Sequence, residues 1–224
     1  MTEPKELFDK TLSCPICSKE FSTKKVRTSR LRLIKRDEDF LNYYNAENPI
    51  KYSIFVCPNC GYAASESKFN DIKRHEMGII KESISSRWSK RDFGNVRSLD
   101  EAIESYKLAL LTATLLKSTK LELGNICLSI GWLYRLKEDK EEEIRFLALA
   151  RDRFIEAYNT EALSGTNMDD SKLSYLIAEL SRRINEKETA LSWFNTCLNL
   201  TSTRMNPALN DIAREQWRLT KEME

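Results

Sequence analysis

Two periodicities divide the chain. Up to about residue 65 the apolar positions come in short alternating runs, and beyond it they recur three and four residues apart. In the first part, Val26, Leu31, Leu33 and Ile34 interrupt a basic stretch and predict a strand over residues 30–35. The run over 51–56 alternates tyrosine, isoleucine, phenylalanine and valine and predicts a second strand. Residues 3–10 are polar enough for no more than a frayed helical turn. Asp37-Glu38-Asp39 marks a turn, Asn48-Pro49 a break, and no strand signal follows residue 60.

From Phe69 the stripe Phe69, Ile72, Glu76, Ile80, Ile84, Trp88 predicts one connecting helix of about 25 residues, with Gly78 as its weak point. Ser98 and Glu101 have capping-box spacing and open a helix presenting Ala102, Ile103, Tyr106, Ala109, Leu110 and Ala113. Further helices are expected over 121–137, 144–158, 172–184 and 188–199. Ser164-Gly165-Thr166-Asn167 separates the helix over 144–158 from that over 172–184, and Asn206-Pro207 opens a last helix with a cap and an N1 proline.

A loose repeat runs through these helices. Ala102-x₃-Tyr106-x₂-Ala109, Ala150-x₃-Phe154-x₂-Ala157 and Ala190-x₃-Phe194-x₂-Cys197 share the second-helix spacing of a tetratricopeptide unit. Ile130-Gly131-x₂-Tyr134 and Ile177-Ala178-x₂-Ser181 resemble first helices. Small residues at such places let two helices approach, and an aromatic fills the groove between them. The tryptophan and closing prolines of that repeat are missing, so an irregular antiparallel helical array is the alternative. The expected fold is mainly α: a small four-cysteine, zinc-ribbon-like β module over residues 1–65, then a tetratricopeptide-like antiparallel helical array over 66–224.

Composition supports this. Few glycines and prolines and 31% charged residues suit helices. With 36 basic and 34 acidic residues the surface is balanced, which argues against a dedicated nucleic-acid binder. No apolar run approaches the roughly 20 residues that span a bilayer, so a soluble, cytoplasmic protein without membrane contact is expected.

The chemistry sits in Cys14-Pro15-Ile16-Cys17 and Cys57-Pro58-Asn59-Cys60. Each C-x-x-C puts two sulfurs on one tight turn, and two such turns complete a tetrahedral S₄ shell. Cys14, Cys17, Cys57 and Cys60 are therefore the candidate ligands of one Zn²⁺, with iron in a rubredoxin-like site as the alternative. Gly61 follows where a left-handed residue closes such a turn. Redox dithiols would need a strand-to-helix context that neither pair has, and no secretory signal favours disulfides. Cys127 and Cys197 lie on apolar helix faces as small buried residues, and the single histidine, His75, lies beside the connecting stripe without a nucleophile near it in sequence. Tyr43, Tyr44, Tyr52 and Phe55 are expected to be core of the small module, with a base-stacking platform as the alternative.

Cys14-Pro-Ile-Cys17, Arg30-Leu-Arg-Leu-Ile-Lys-Arg-Asp-Glu-Asp-Phe40, Asn48-Pro49 and Val56-Cys-Pro-Asn-Cys-Gly-Tyr-Ala-Ala64 together resemble the bacterial domain of unknown function 2225 family. The resemblance covers most of the chain and is most specific at the second cysteine motif. It implies a zinc-ribbon-like head, a tetratricopeptide-like body and a cytoplasmic bacterial setting. It carries no activity with it.

The expected function is a non-catalytic, metal-stabilised module that binds a protein or peptide. No nucleophile–base set or phosphate loop is present in the sequence. The basic stretch from Lys24 to Arg36 keeps nucleic-acid binding open as an alternative, beside the plainer one of a charged strand edge. In tetratricopeptide units the residues flanking first-helix packing positions face a concave groove. Here these are Asn125, Trp132 and Arg135, and Lys172, Tyr175, Glu179 and Arg182. Arg135, Lys172 and Arg182 in one groove would suit an acidic peptide or a C-terminal carboxylate. Trp132 as core and the charges as a solvated face is the competing expectation.

Overall fold

A computed structural model describes residues 4–163, 166 and 168–223. Of the loop expected at Ser164-Gly165-Thr166-Asn167, only Thr166 is among them. The protein is mainly α, with antiparallel strand pairs at its N-terminal end followed by a helical array. It divides into two compact units: Met1–Arg36, Asn42–Ser118 and Trp132–Asp139 form the first, and Asp37–Leu41, Thr119–Gly131 and Lys140–Glu224 the second.

The first unit holds three two-stranded ladders. Strand β1 (Leu7–Ser13) pairs with β2 (Glu20–Val26), β3 (Leu33–Arg36) with β4 (Asn42–Tyr44), and β5 (Ile54–Val56) with β6 (Ala63–Ser65), all antiparallel. Where a frayed helical turn was expected over 3–10, residues 7–10 belong to β1; Glu3 lies outside the described residues. Period-two burial of that segment, with Leu7 and Val26 joining Tyr52 in one core cluster, outweighs its weak helical propensity. Strand β6 carries no sequence signal because Ala63 and Ala64 have low strand propensity. The second cysteine turn returns the chain against β5, and burial does the rest.

The expected strand over 51–56 is shorter. Asn48 accepts a hydrogen bond from the Ile50 amide and Pro49 opens a 3₁₀ turn through Tyr52, so β5 starts only at Ile54. The connecting helix is also shorter: α1 spans Arg74–Ser83, with a 3₁₀ turn at Ser85–Arg87. Phe69 and Ile72 fit a helical stripe by spacing, yet they sit in turns, and Glu76 accepts the Lys73 amide to start the helix there. Helix α2 (Leu99–Leu115) begins at the expected box, with Ser98 Oγ accepting the Glu101 amide and the Glu101 carboxylate accepting the Ser98 amide. The unit carrying the cysteines thus runs past residue 65. Phe69, Ile80 and Ile84 bury themselves in the same core as the cysteines, so the composition shift there is no structural boundary.

Arg97 is the hub of this unit and is only 2% exposed. Its guanidinium donates to the carbonyls of Phe93, Lys51 and Ile54 and to the hydroxyls of Ser105 and Thr23, tying β2, the Pro49 turn, β5 and α2 together. Burial lowers its pKa to about 10, which leaves it charged at neutral pH.

After α3 (Lys120–Leu136) come α4 (Lys140–Thr160), α5 (Asp170–Arg183), α6 (Lys187–Asn199), the short α7 (Thr201–Arg204) and α8 (Pro207–Lys221). In the second unit a Cβ at Gly124 would lie 2.5 Å from the Phe154 ring, and one at Gly131 2.8 Å from Leu147 Cδ2. Glycine at both places is what allows α3 and α4 to approach. The spaced triplets Ala150, Phe154, Ala157 and Ala190, Phe194, Cys197 are fully buried, as their periodicity predicts. Among the described residues no helix is long and apolar enough to cross a membrane.

Candidate metal centre

The two cysteine turns have matching hydrogen bonds. The Cys14 amide donates to the Lys19 carbonyl and the Ser18 amide returns to the Cys14 carbonyl. The Cys57 amide donates to the Tyr62 carbonyl and the Gly61 amide returns to the Cys57 carbonyl. Ser18 and Gly61 take positive φ, 58° and 75°, at the fifth residue of each turn. Inside the turns, the amides of Ile16 and Cys17 bond to the Cys14 sulfur, those of Asn59 and Cys60 to the Cys57 sulfur, and that of Tyr62 to the Cys60 sulfur. Backbone donors aimed at sulfur stabilise thiolates, the form that binds metal.

All four sulfurs lie within 4.8 Å of one another. Cys14 Sγ is 3.5 Å from Cys60 Sγ and Cys17 Sγ is 3.7 Å from Cys57 Sγ. A tetrahedron with metal–sulfur bonds of about 2.3 Å has edges of about 3.8 Å, so the spacing fits a four-coordinate ion. Electrostatics points the same way. Hydrogen bonds from Cys14 and Cys60 hold the Cys57 thiol well below its usual value. The same contact with Cys57 pushes Cys14 up to about 12, and Cys60 rises through its contacts with Cys14 and Cys57. So close together the four sulfurs cannot all be thiolates by themselves, and a cation among them would allow it. Cys14, Cys57 and Cys60 are buried and Cys17 is half-buried.

The shell around them is aromatic. Phe69 packs against Phe21, Phe55 and Tyr62, and the Tyr62 hydroxyl donates to the Phe69 carbonyl. Trp88 Nε1 donates to the Pro58 carbonyl, and its indole lies over Gly61 so closely that a Cβ there would fall 2.4 Å from Cε3. Trp88 and Phe69 had been legible only as members of a helical stripe. Arg97 and Ser18 carried no signal, since their roles depend on partners or dihedrals that spacing does not encode.

The groove residues fare differently. Tyr175 and Glu179 are fully buried. Tyr175 donates to the Glu38 carbonyl and packs on the Phe40 ring, because residues 37–41 belong to this unit and cover that face of α5. The Glu179 carboxylate is bonded by Arg182 and by Arg183, and Arg183 also meets Glu38. Neither Tyr175 nor Glu179 can face a groove, and Arg182 is committed to Glu179. Asn125 and Lys172 are exposed, Trp132 and Arg135 half-buried, and the last two fall in the other unit.

Of the remaining expectations, Tyr52 and Phe55 are core, while Tyr43 and Tyr44 are half-buried. Cys127 and Cys197 are buried, their thiols pushed up by burial, Cys127 to about 11. His75 is exposed. Part of the basic stretch is internally paired: Lys24 with Asp9, and Lys25 together with Lys10 on Glu66.

The fold and site define a mainly helical protein with a four-cysteine cluster that can hold a metal ion. The chain belongs to the family described as "Uncharacterized protein conserved in bacteria (DUF2225)", whose match covers residues 7–220. It is 29% identical over 150 residues to an "Uncharacterized protein" of Borreliella burgdorferi, covering 59% of this chain and 53% of that one. The match therefore spans about half the length of this relative. No solved structure matches the chain.

Proposed function

We propose that the protein is a non-catalytic interaction module whose head is held together by one Zn²⁺ on Cys14, Cys17, Cys57 and Cys60. The observation that carries this is the pair of matching turns that bring four sulfurs within 4.8 Å, backed by amide donors and an aromatic shell. Four thiolates saturate a tetrahedral ion and leave no position for a substrate or an activated water, which is why the role is assigned to structure and not to catalysis. Reduced thiols suit a cytoplasmic setting. The buried triplets of α4 and α6 support a tetratricopeptide-like body, and bodies of that type bind proteins or peptides.

The S₄ geometry also accepts iron, and colour separates the two. Protein purified without chelator is expected to carry about one zinc per chain and to be colourless; a red protein with visible absorption would give iron. Well under one metal per chain would overturn the reading altogether.

A further inference from the structure

Helix α2 carries two apolar stripes. Ala102, Tyr106, Ala109 and Ala113, spaced four, three and four apart, form its buried face. Leu108, Leu111 and Leu115 recur at i, i+3 and i+7 on the opposite side of the helix. Leu111 is 47% exposed, and the other two are half-buried.

A lone leucine on a surface is ordinary. These three form one wall of an open cleft of about 640 Å³, and the second wall holds Glu82, Ile84, Arg87 and Trp88. That second wall is built on the metal centre: the Trp88 indole donates to the Pro58 carbonyl and lies over Gly61. Ile79, 37% exposed, precedes Glu82 by three residues on the same face of α1 and enlarges the apolar area.

The charges at the cleft are of two kinds. Arg91 is committed, since its guanidinium stacks 4.6 Å from the Trp88 ring and pairs with Glu104. Glu82 and Arg87 are exposed, and neither side chain makes an ion pair among the described residues. A nucleic acid or an acidic lipid selects cations alone and would meet Glu82 and Glu104 as repulsion. A patch with one unpaired acid, one unpaired base and apolar ground between two walls is complementary to itself. Turned about a two-fold axis, each Glu82 faces an Arg87, and each leucine wall faces an Ile84–Trp88 wall.

We propose that this cleft is the interface of a homodimer, in which Leu108, Leu111 and Leu115 of one copy pack against Ile84 and Trp88 of the other and Glu82 pairs with Arg87 across the axis. The dimer is separate from the partner binding of the interaction-module reading, and either holds without the other.

Sedimentation velocity of the full chain, purified without chelator and run as a concentration series, is expected to show a species of twice the 26.1 kDa chain mass. Arg87→Glu leaves acid alone at the rim and Glu82→Arg base alone, so each should weaken the dimer about tenfold or more. Mixed one to one, these two variants should form a heterodimer, and the exchange Glu82→Arg plus Arg87→Glu within one chain should dimerise as the unaltered protein does. Recovery on mixing also shows that the single variants are folded. Leu111→Glu should weaken association at least as far, with metal content retained. A photo-crosslinking amino acid at Leu111 should join two copies of the chain. A monomer at every concentration up to about 100 μM would overturn the proposal. So would a dimer that Arg87→Glu leaves intact, or single variants that fail to recover on mixing. Capture of a different molecule at Leu111, with the chain monomeric, would give the cleft to that ligand and overturn the dimer.

Discussion

Ser18 and Gly61 occupy the same place in the two cysteine turns, each four residues after its leading cysteine, each at positive φ, each donating its amide to that cysteine's carbonyl. Their surroundings differ. Trp88 lies against Gly61 and leaves no room for a Cβ, whereas the first turn already carries a serine side chain. Gly61→Ala combines backbone strain with a clash and is expected to cost about 2–4 kcal/mol in chemical denaturation. Ser18→Gly relieves strain but loosens the unfolded chain, and should change stability by less than about 1 kcal/mol. Equal effects at the two positions would show that the turn dihedral, and not the Trp88 contact, sets the requirement.

Cys57→Ser should abolish stoichiometric metal binding and destabilise the first unit by several kcal/mol, because its core packs directly around the cysteines. Helix α1 contributes Ile80 to that core, Ile84 joins it directly after the helix, and α1 should lose protection with it. The second unit has its own buried cluster around Tyr175, Phe194 and Cys197 and should keep its helices. Hydrogen exchange resolves the two units, with fast exchange expected in α1 and slow exchange in α5 and α6. Acidification should mimic the mutation, since the sulfurs bind metal as thiolates and protons compete with it.

The four-cysteine cluster was legible in the sequence because the relevant spacing is local: Cys14 with Cys17, and Cys57 with Cys60. The helices from α2 onward, apart from the short α7, were legible through caps and periodicity, as at Ser98 and Asn206. Arg97 was not, because its carbonyl and hydroxyl partners in β2, the Pro49 turn and β5 lie 43 to 74 residues away. Repeat spacing places Tyr175 and Glu179 toward a concave groove, but both are buried, and Tyr175 is covered by residues 37–41, which no periodicity in α5 announces. Strand β6 escaped because alanine carries burial without strand preference.

Arg97→Met removes five hydrogen bonds from a buried hub and leaves the carbonyls of Lys51, Ile54 and Phe93 without this donor. The expected loss is about 3–5 kcal/mol, read from the denaturation midpoint. Arg97→Lys should rescue little of it, since one ammonium cannot replace a planar fork that reaches five acceptors.

The Glu186 carboxylate receives both terminal nitrogens of Arg151, which holds its pKa below the usual value of 4.5. A carboxylate with a lowered folded pKa contributes stability that is present above 4.5 and lost as pH falls through the folded value. Glu186 is partly exposed, so solvent screening keeps the contribution under about 1 kcal/mol. Glu186→Gln should therefore lower stability slightly at neutral and alkaline pH, with the loss fading as pH falls through the folded pKa. A loss that persists unchanged down to pH 3 would mean that packing, and not charge, is what the substitution removes.

Glu179 is fully buried, and its two oxygens are taken by the Arg182 guanidinium, with Arg183 sharing one of them. Arg183 continues to Glu38, and Tyr175 donates to the carbonyl of the same residue. Removing the central carboxylate leaves two cations facing each other with nothing between them, so Glu179→Ala is expected to cost about 3–5 kcal/mol. Tyr175→Phe removes only one hydrogen bond from the 37–41 segment and should cost about 1 kcal/mol. Because the two residues hold the same segment, the double variant should lose less than the sum of the single losses. If Glu179→Ala instead left the melting temperature unchanged and weakened partner recovery, α5 would be a binding face after all, and the assignment of this cluster to the core would be wrong.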